Sequence, residues 1–140
     1  MDKTRILSKV DELNIYFVEL EEIIPNRLDL YINSLKDKRA CERLLQISIE
    51  TLIDICNILV SELKFGLPSD EEDVFSKLNS KKVITEETRR ILIGMKHVRN
   101  LLVHRYAIID DKIIYDILTK KLGDFEKFKI EILKFLKNKK

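Results

Sequence analysis

The sequence predicts an all-α fold, an antiparallel bundle of four to five helices, and three observations predict it. Apolar residues recur at alternating three- and four-residue steps along most of the chain. Glycine and proline are scarce, three and two in 140 residues, so little interrupts long helices. The few breaks leave only short connections, and short connections make helices antiparallel neighbours. A chain of this length fits one domain, residues 1–140, with a core that needs no disulfide or metal.

The elements follow in order. Ile6, Val10, Leu13, Phe17, Leu20 and Ile24 form a single apolar seam that Pro25 ends, which is a first helix. Asn26 is expected to cap a second start carrying Leu28, Tyr31, Ile32 and Leu35, before the charged run 36–39, a solvated helical turn or a bend. From Arg39 to Lys64 two stripes run side by side, Leu45, Ile49, Leu52, Cys56, Leu59 and Leu63 beside Leu44, Ile47, Ile55 and Ile58. That width exceeds what one core needs, and implies a central helix, a face buried by a second subunit, or both.

Gly66 and Pro68 mark the first strong break, and Ser69 with Glu72 reads as a capping box opening a short acidic helix through Leu78. Thr85 caps the next helix, whose seam is Ile91, Met95, Val98 and Leu102, placing Arg99 and Asn100 off the core side. Asp110 or Asp111 opens a last helix with Ile114, Leu118, Leu122, Phe125, Phe128 and Ile132, bent at Gly123, and the lysines from 134 to 140 are expected to fray.

Composition narrows the function classes. Asp54 and Glu62 interrupt the longest apolar run, so no membrane span and no membrane partner are expected. Cys41 and Cys56 sit within amphipathic helical patterns without a preceding leader, and are read as reduced structural thiols of a cytoplasmic protein. A formal net charge of +2 does not announce nucleic-acid binding, which would have to come from local clustering. The sequence shows no P-loop, zinc spacing or nucleophile elbow.

Chemically able side chains crowd together in the segment Arg99-Asn100-Leu101-Leu102-Val103-His104-Arg105-Tyr106, at the end of a strongly predicted helix. Such a set suits phosphodiester cleavage, in which a ribose hydroxyl needs a base, the phosphorane a fixed cation and the leaving oxygen an acid. A histidine such as His104 can serve as base or acid, and Arg99 can hold phosphate oxygens bidentately. On an unbroken helix the two would lie roughly 140° apart, so convergence within one chain requires the helix to end near Val103. One histidine cannot readily serve as base and acid together, and a two-fold dimer would supply a second His104. A histidine or arginine in a last helical turn also suits the helix dipole, which alone accounts for many such residues.

Nearby residues have plainer readings beside functional ones. His97 could extend the site, but lacks companions at ligand spacing and reads as a half-buried surface histidine, so no metal is expected. Asp54 could pair with Arg99 or a lysine across an interface, or be exposed. Arg105 could assist phosphate binding or be solvated, and the terminal lysines could touch RNA or only promote solubility.

The pattern Arg99-Asn100-x-x-x-His104-x-Tyr106, preceded by the long helix containing residues 42–50, resembles the HepT-like branch of the HEPN superfamily over nearly the whole chain. The resemblance implies a homodimeric helical bundle with a metal-independent endoribonuclease site at the dimer cleft and no cofactor. Arg99 and His104 would be catalytic and Asn100 a supporting polar companion. It further implies a type VII toxin–antitoxin system, in which an MNT-type nucleotidyltransferase antitoxin transfers AMP to Tyr106 and silences the toxin. A non-catalytic subunit that binds nucleotide or substrate for a nucleotidyltransferase, with Arg99 as phosphate anchor, is the alternative, and a structural dimerisation module a third.

Overall fold

The structure, a computed structural model, describes residues 1–104 and 109–139. Among these are seven helices and no strand: α1 (Lys3–Ile23), α2 (Leu28–Asn33), α3 (Leu35–Glu62), α4 (Glu71–Ser80), α5 (Glu86–His104), α6 (Asp111–Lys120) and α7 (Leu122–Asn138). The all-α expectation holds, with more and shorter elements than predicted.

The 28-residue α3 is the axis of the bundle, packed against α1, α2, α4, α5 and α6. Of its two stripes, Leu45, Ile49, Leu52, Cys56 and Leu59 are buried, and so are Ile55 and Ile58. Most of the extra width is therefore covered within one chain, while Leu44, Ile47 and Leu63 remain half-buried. By length and hydropathy α3 would qualify as a membrane span, despite Asp54, but 61% of its apolar window is buried inside the bundle. Asp54 itself is exposed and lies 3.6 Å from Lys9 of α1, rather than against Arg99.

Local chemistry sets the helix ends. The Asp2 carboxylate accepts from the Thr4 N–H and starts α1, and Pro25 follows its end as expected. Asn26 is not a cap: α2 begins one residue later, at an Arg27 N-cap position with no side-chain hydrogen bond. Ser34 caps α3 by accepting from the Asp37 N–H at 3.2 Å, so the charged run 36–39 forms the first turns of α3. The box expected at Ser69 and Glu72 is shifted by one residue. Asp70 accepts from the Asp73 N–H at 2.8 Å, while the Asp73 carboxylate reaches back to the Ser69 N–H at 3.0 Å. The connection before it turns through Lys64 and Gly66 at positive φ, and at +101° Gly66 occupies a region that a side chain would strain.

The predicted last helix is two helices, broken at Lys121 rather than bent at Gly123. The break has a packing reason: α6 lies on α2 and α3, whereas α7 lies on α5, so one straight rod could not serve both. The lysine-rich end also does not fray where expected. The Lys3 ammonium donates to the carbonyls of Leu136 at 2.7 Å and Lys139 at 2.5 Å, and Leu136 is buried, which holds α7 helical to Asn138.

Thr85 caps α5 as predicted, its hydroxyl accepting from the Thr88 N–H at 3.2 Å. Glu131, from α7, completes this cap. Its carboxylate accepts from the Thr85 N–H at 2.7 Å and from the Thr88 hydroxyl, and sits at the positive end of the α5 dipole. Removing it leaves the wholly buried Thr88 hydroxyl without that acceptor. Glu131→Ala is expected to cost about 1–2 kcal/mol, read as a lower denaturant midpoint at an unchanged slope.

Candidate active site

The site is built on α5 and the start of α4. Buried Thr88, Leu92, Met95 and Leu102 fix the rotation of α5 against the core. That rotation turns Lys96 and Arg99 toward α4, whose first turn is Glu71, Glu72 and Asp73. Lys96 Nζ lies 2.5 Å from Glu72 Oε2, and Arg99 Nη2 lies 2.5 Å from Glu71 Oε1. Two ion pairs one helical turn apart thus fasten α4 to α5. The Lys96 ammonium, first by hydrogen bond and then by charge, holds the exposed Glu72 carboxyl below the usual carboxylate range, with His97 and Arg89 adding to the effect.

Arg99 is off the apolar seam, as expected, yet its side chain is only 16% exposed because α4 covers it. Its Nε donates to Asn100 Oδ1 at 2.9 Å. The guanidinium is therefore held from two sides, by a carboxylate and an amide oxygen.

His104 is exposed in the last turn of α5, where free carbonyls favour a cation. α5 ends at His104, one residue beyond the end expected near Val103, so Arg99 and His104 both still lie on the helix. At about 100° per residue, Arg99 and His104 then project roughly 140° apart, one toward α4 and one toward solvent. A single chain does not aim both at one ligand along this helix. Arg105 and Tyr106 lie outside the described residues. His97 is exposed rather than half-buried, and among the described residues no group of three or more His, Cys, Asp or Glu side chains could hold a metal.

Two hollows elsewhere leave these residues aside. One, of 450 Å³, lies between the α4–α5 connection and the end of α7, beside Glu131 and Phe135. The other, of 230 Å³, is an apolar groove along α5 lined by Ile91, Gly94 and Met95. Arg99 and His104 line neither. The cysteines are free and buried, and burial pushes the Cys41 thiol up to about 11 and that of Cys56 higher still. Both remain protonated at neutral pH and unreactive, as expected of structural thiols.

The sequence reading missed Glu71. The acidic first turn of α4 was legible only as favourable to the helix dipole, because periodicity does not say which helix a first turn will face.

Known proteins resemble this chain in sequence and in fold. The chain is 26% identical over 131 residues to the tRNA nuclease HepT of Aphanizomenon flos-aquae, covering 94% of this chain and 89% of that protein. It is 32% identical over 90 residues to the mRNA nuclease HepT of Shewanella oneidensis, covering 64% of this chain and 67% of the relative. Its fold superposes with a TM-score of 0.87 on a tri-AMPylated Shewanella oneidensis HEPN toxin solved in complex with MNT antitoxin. That match has 24% identity and covers 96% of this chain and 99% of the other. The profile of the family described as ribonuclease HepT-like matches residues 13–132, and this chain belongs to that family.

Proposed function

We propose that this protein is a metal-independent endoribonuclease toxin of a toxin–antitoxin system, with Arg99 and His104 as its catalytic residues and Asn100 in support. The observation that carries this reading is a guanidinium fixed at the end of α5, five residues before an exposed histidine, within a chain of the HepT-like family. Such a pair has the groups that phosphodiester cleavage requires. A neutral imidazole takes the proton of the ribose 2′-hydroxyl as its oxygen bonds to the adjacent phosphorus. Arg99 binds the phosphoryl oxygens as charge accumulates on them, and an imidazolium donates a proton to the departing 5′-oxygen. The products are a cyclic phosphate end and a free 5′-hydroxyl.

Base and acid are needed at once, and a regular α5 separates Arg99 from His104. The reading therefore uses a homodimer in which two copies of the motif face one cleft, each contributing a histidine. The curated relatives are named as a tRNA nuclease and an mRNA nuclease, which supports RNA as substrate. The AMPylated neighbour in complex with MNT antitoxin supports a nucleotidyltransferase partner that modifies Tyr106, and buried thiols suit a cytoplasmic setting. Purified protein incubated with RNA in excess chelator is expected to release fragments ending in cyclic phosphate. RNA left intact by the unmodified protein, or cleavage only after a divalent metal is restored, would contradict the proposal.

A further inference from the structure

We propose that Glu71 is a positioning residue for RNA cleavage, holding the Arg99 guanidinium in the rotamer that presents its remaining donors to phosphate. The inference rests on Arg99 being the phosphate-binding group. Among the described residues, the contacts of Arg99 occupy Nε, through Asn100 Oδ1 at 2.9 Å, and Nη2, through Glu71 Oε1 at 2.5 Å. Two anchors at separate points of a planar group fix both its place and its rotation. They use two of the five guanidinium hydrogens. The Nη1 hydrogens and the second Nη2 hydrogen remain, and this edge is the fork that matches two phosphate oxygens.

Asn100 alone could not achieve this, because it follows Arg99 directly on α5 and moves with it. Glu71 belongs to a different helix and ties the guanidinium to the body of the bundle. It is the first residue of α4, where the helix dipole stabilises its carboxylate. The carboxylate does not discharge its partner, since an arginine keeps its proton at any physiological pH. What it removes is rotamer freedom, which an unheld arginine would have to lose on binding the transition state. The neighbouring Glu72–Lys96 pair joins the same two helices at the same 2.5 Å without touching Arg99, and so separates fastening from positioning.

The experiment measures kcat for cleavage of one RNA, in chelator, together with melting temperatures. Glu71→Ala is expected to lower kcat about thirtyfold, equivalent to the roughly 2 kcal/mol of rotamer freedom of one arginine. Glu71→Gln keeps an acceptor oxygen and is expected to restore most of that loss. Glu72→Ala should match the thermal stability of Glu71→Ala while keeping native kcat. Because Glu71 acts through Arg99, the double variant Glu71→Ala/Arg99→Ala should be no slower than Arg99→Ala alone. A native or raised kcat for Glu71→Ala, or a double variant slower by the product of the two single losses, overturns the proposal. If Arg99→Ala itself cleaves at the native rate, the assignment of Arg99 fails first.

Discussion

His104→Ala is expected to lower RNA cleavage by about a thousandfold or more, the range lost with a general acid–base group. Its effect on stability should be small by comparison. The side chain is exposed in the last turn of α5, so little core packing is lost with it. A variant that folds and dimerises normally but does not cut thus separates chemistry from architecture. Native-rate cleavage by His104→Ala would remove the catalytic assignment. The same substitution tests whether the site is shared. In an equal, randomly exchanged mixture of native and His104→Ala chains, independent sites would retain about half of native activity, whereas a cleft needing both histidines works only in native pairs, about a quarter. The quarter is expected, because α5 stays helical through His104 and one chain offers only one such histidine at this end.

The second large effect concerns Tyr106. In the proposed control, its phenol oxygen attacks the α-phosphorus of ATP, pyrophosphate leaves and the phenolic proton is lost, so that a phosphate and a base are added two residues after His104 in the chain. RNA is then excluded by charge and by volume. Native protein incubated with ATP and its nucleotidyltransferase is expected to gain the mass of AMP and lose cleavage almost completely. Tyr106→Phe, which lacks only the phenolic oxygen, should gain no mass and continue to cut. Competing acceptors are few. Of the four tyrosines, Tyr31 is fully buried, and the Tyr115 hydroxyl donates to the Pro25 carbonyl at 2.6 Å. Tyr16 is half-buried on α1. Equal AMP uptake by Tyr106→Phe would place the modification elsewhere.

Much of the bundle was legible because its signals are local. Ile6, Val10, Leu13 and Leu20 were read as core at helical spacing and are buried, and Thr85 was read as a cap and caps. Pro25 ends α1 for a reason contained in the proline ring. The misplaced boundaries arose where two adjacent residues could do the same chemistry. Ser69 and Asp70 are both competent caps, and the chain uses the aspartate. The division of the last helix at Lys121 has no breaker residue at all, because it is set by which neighbours α6 and α7 must cover.

By itself, then, the sequence determined an all-helical domain, a central apolar helix and the grouping of Arg99, Asn100, His104 and Tyr106 in one segment. These follow from periodicity, capping and spacing, which act over a few residues. Only the tertiary structure decided that most of both stripes of α3 is covered within the chain, that α5 runs regular through His104, and that Glu71 grips Arg99. Each of these depends on which helix faces which across residues distant in sequence. An ion pair between positions 71 and 99 leaves no periodic trace; it exists because the packing of Leu92, Met95 and Leu102 rotates α5 until its guanidinium meets the first turn of α4.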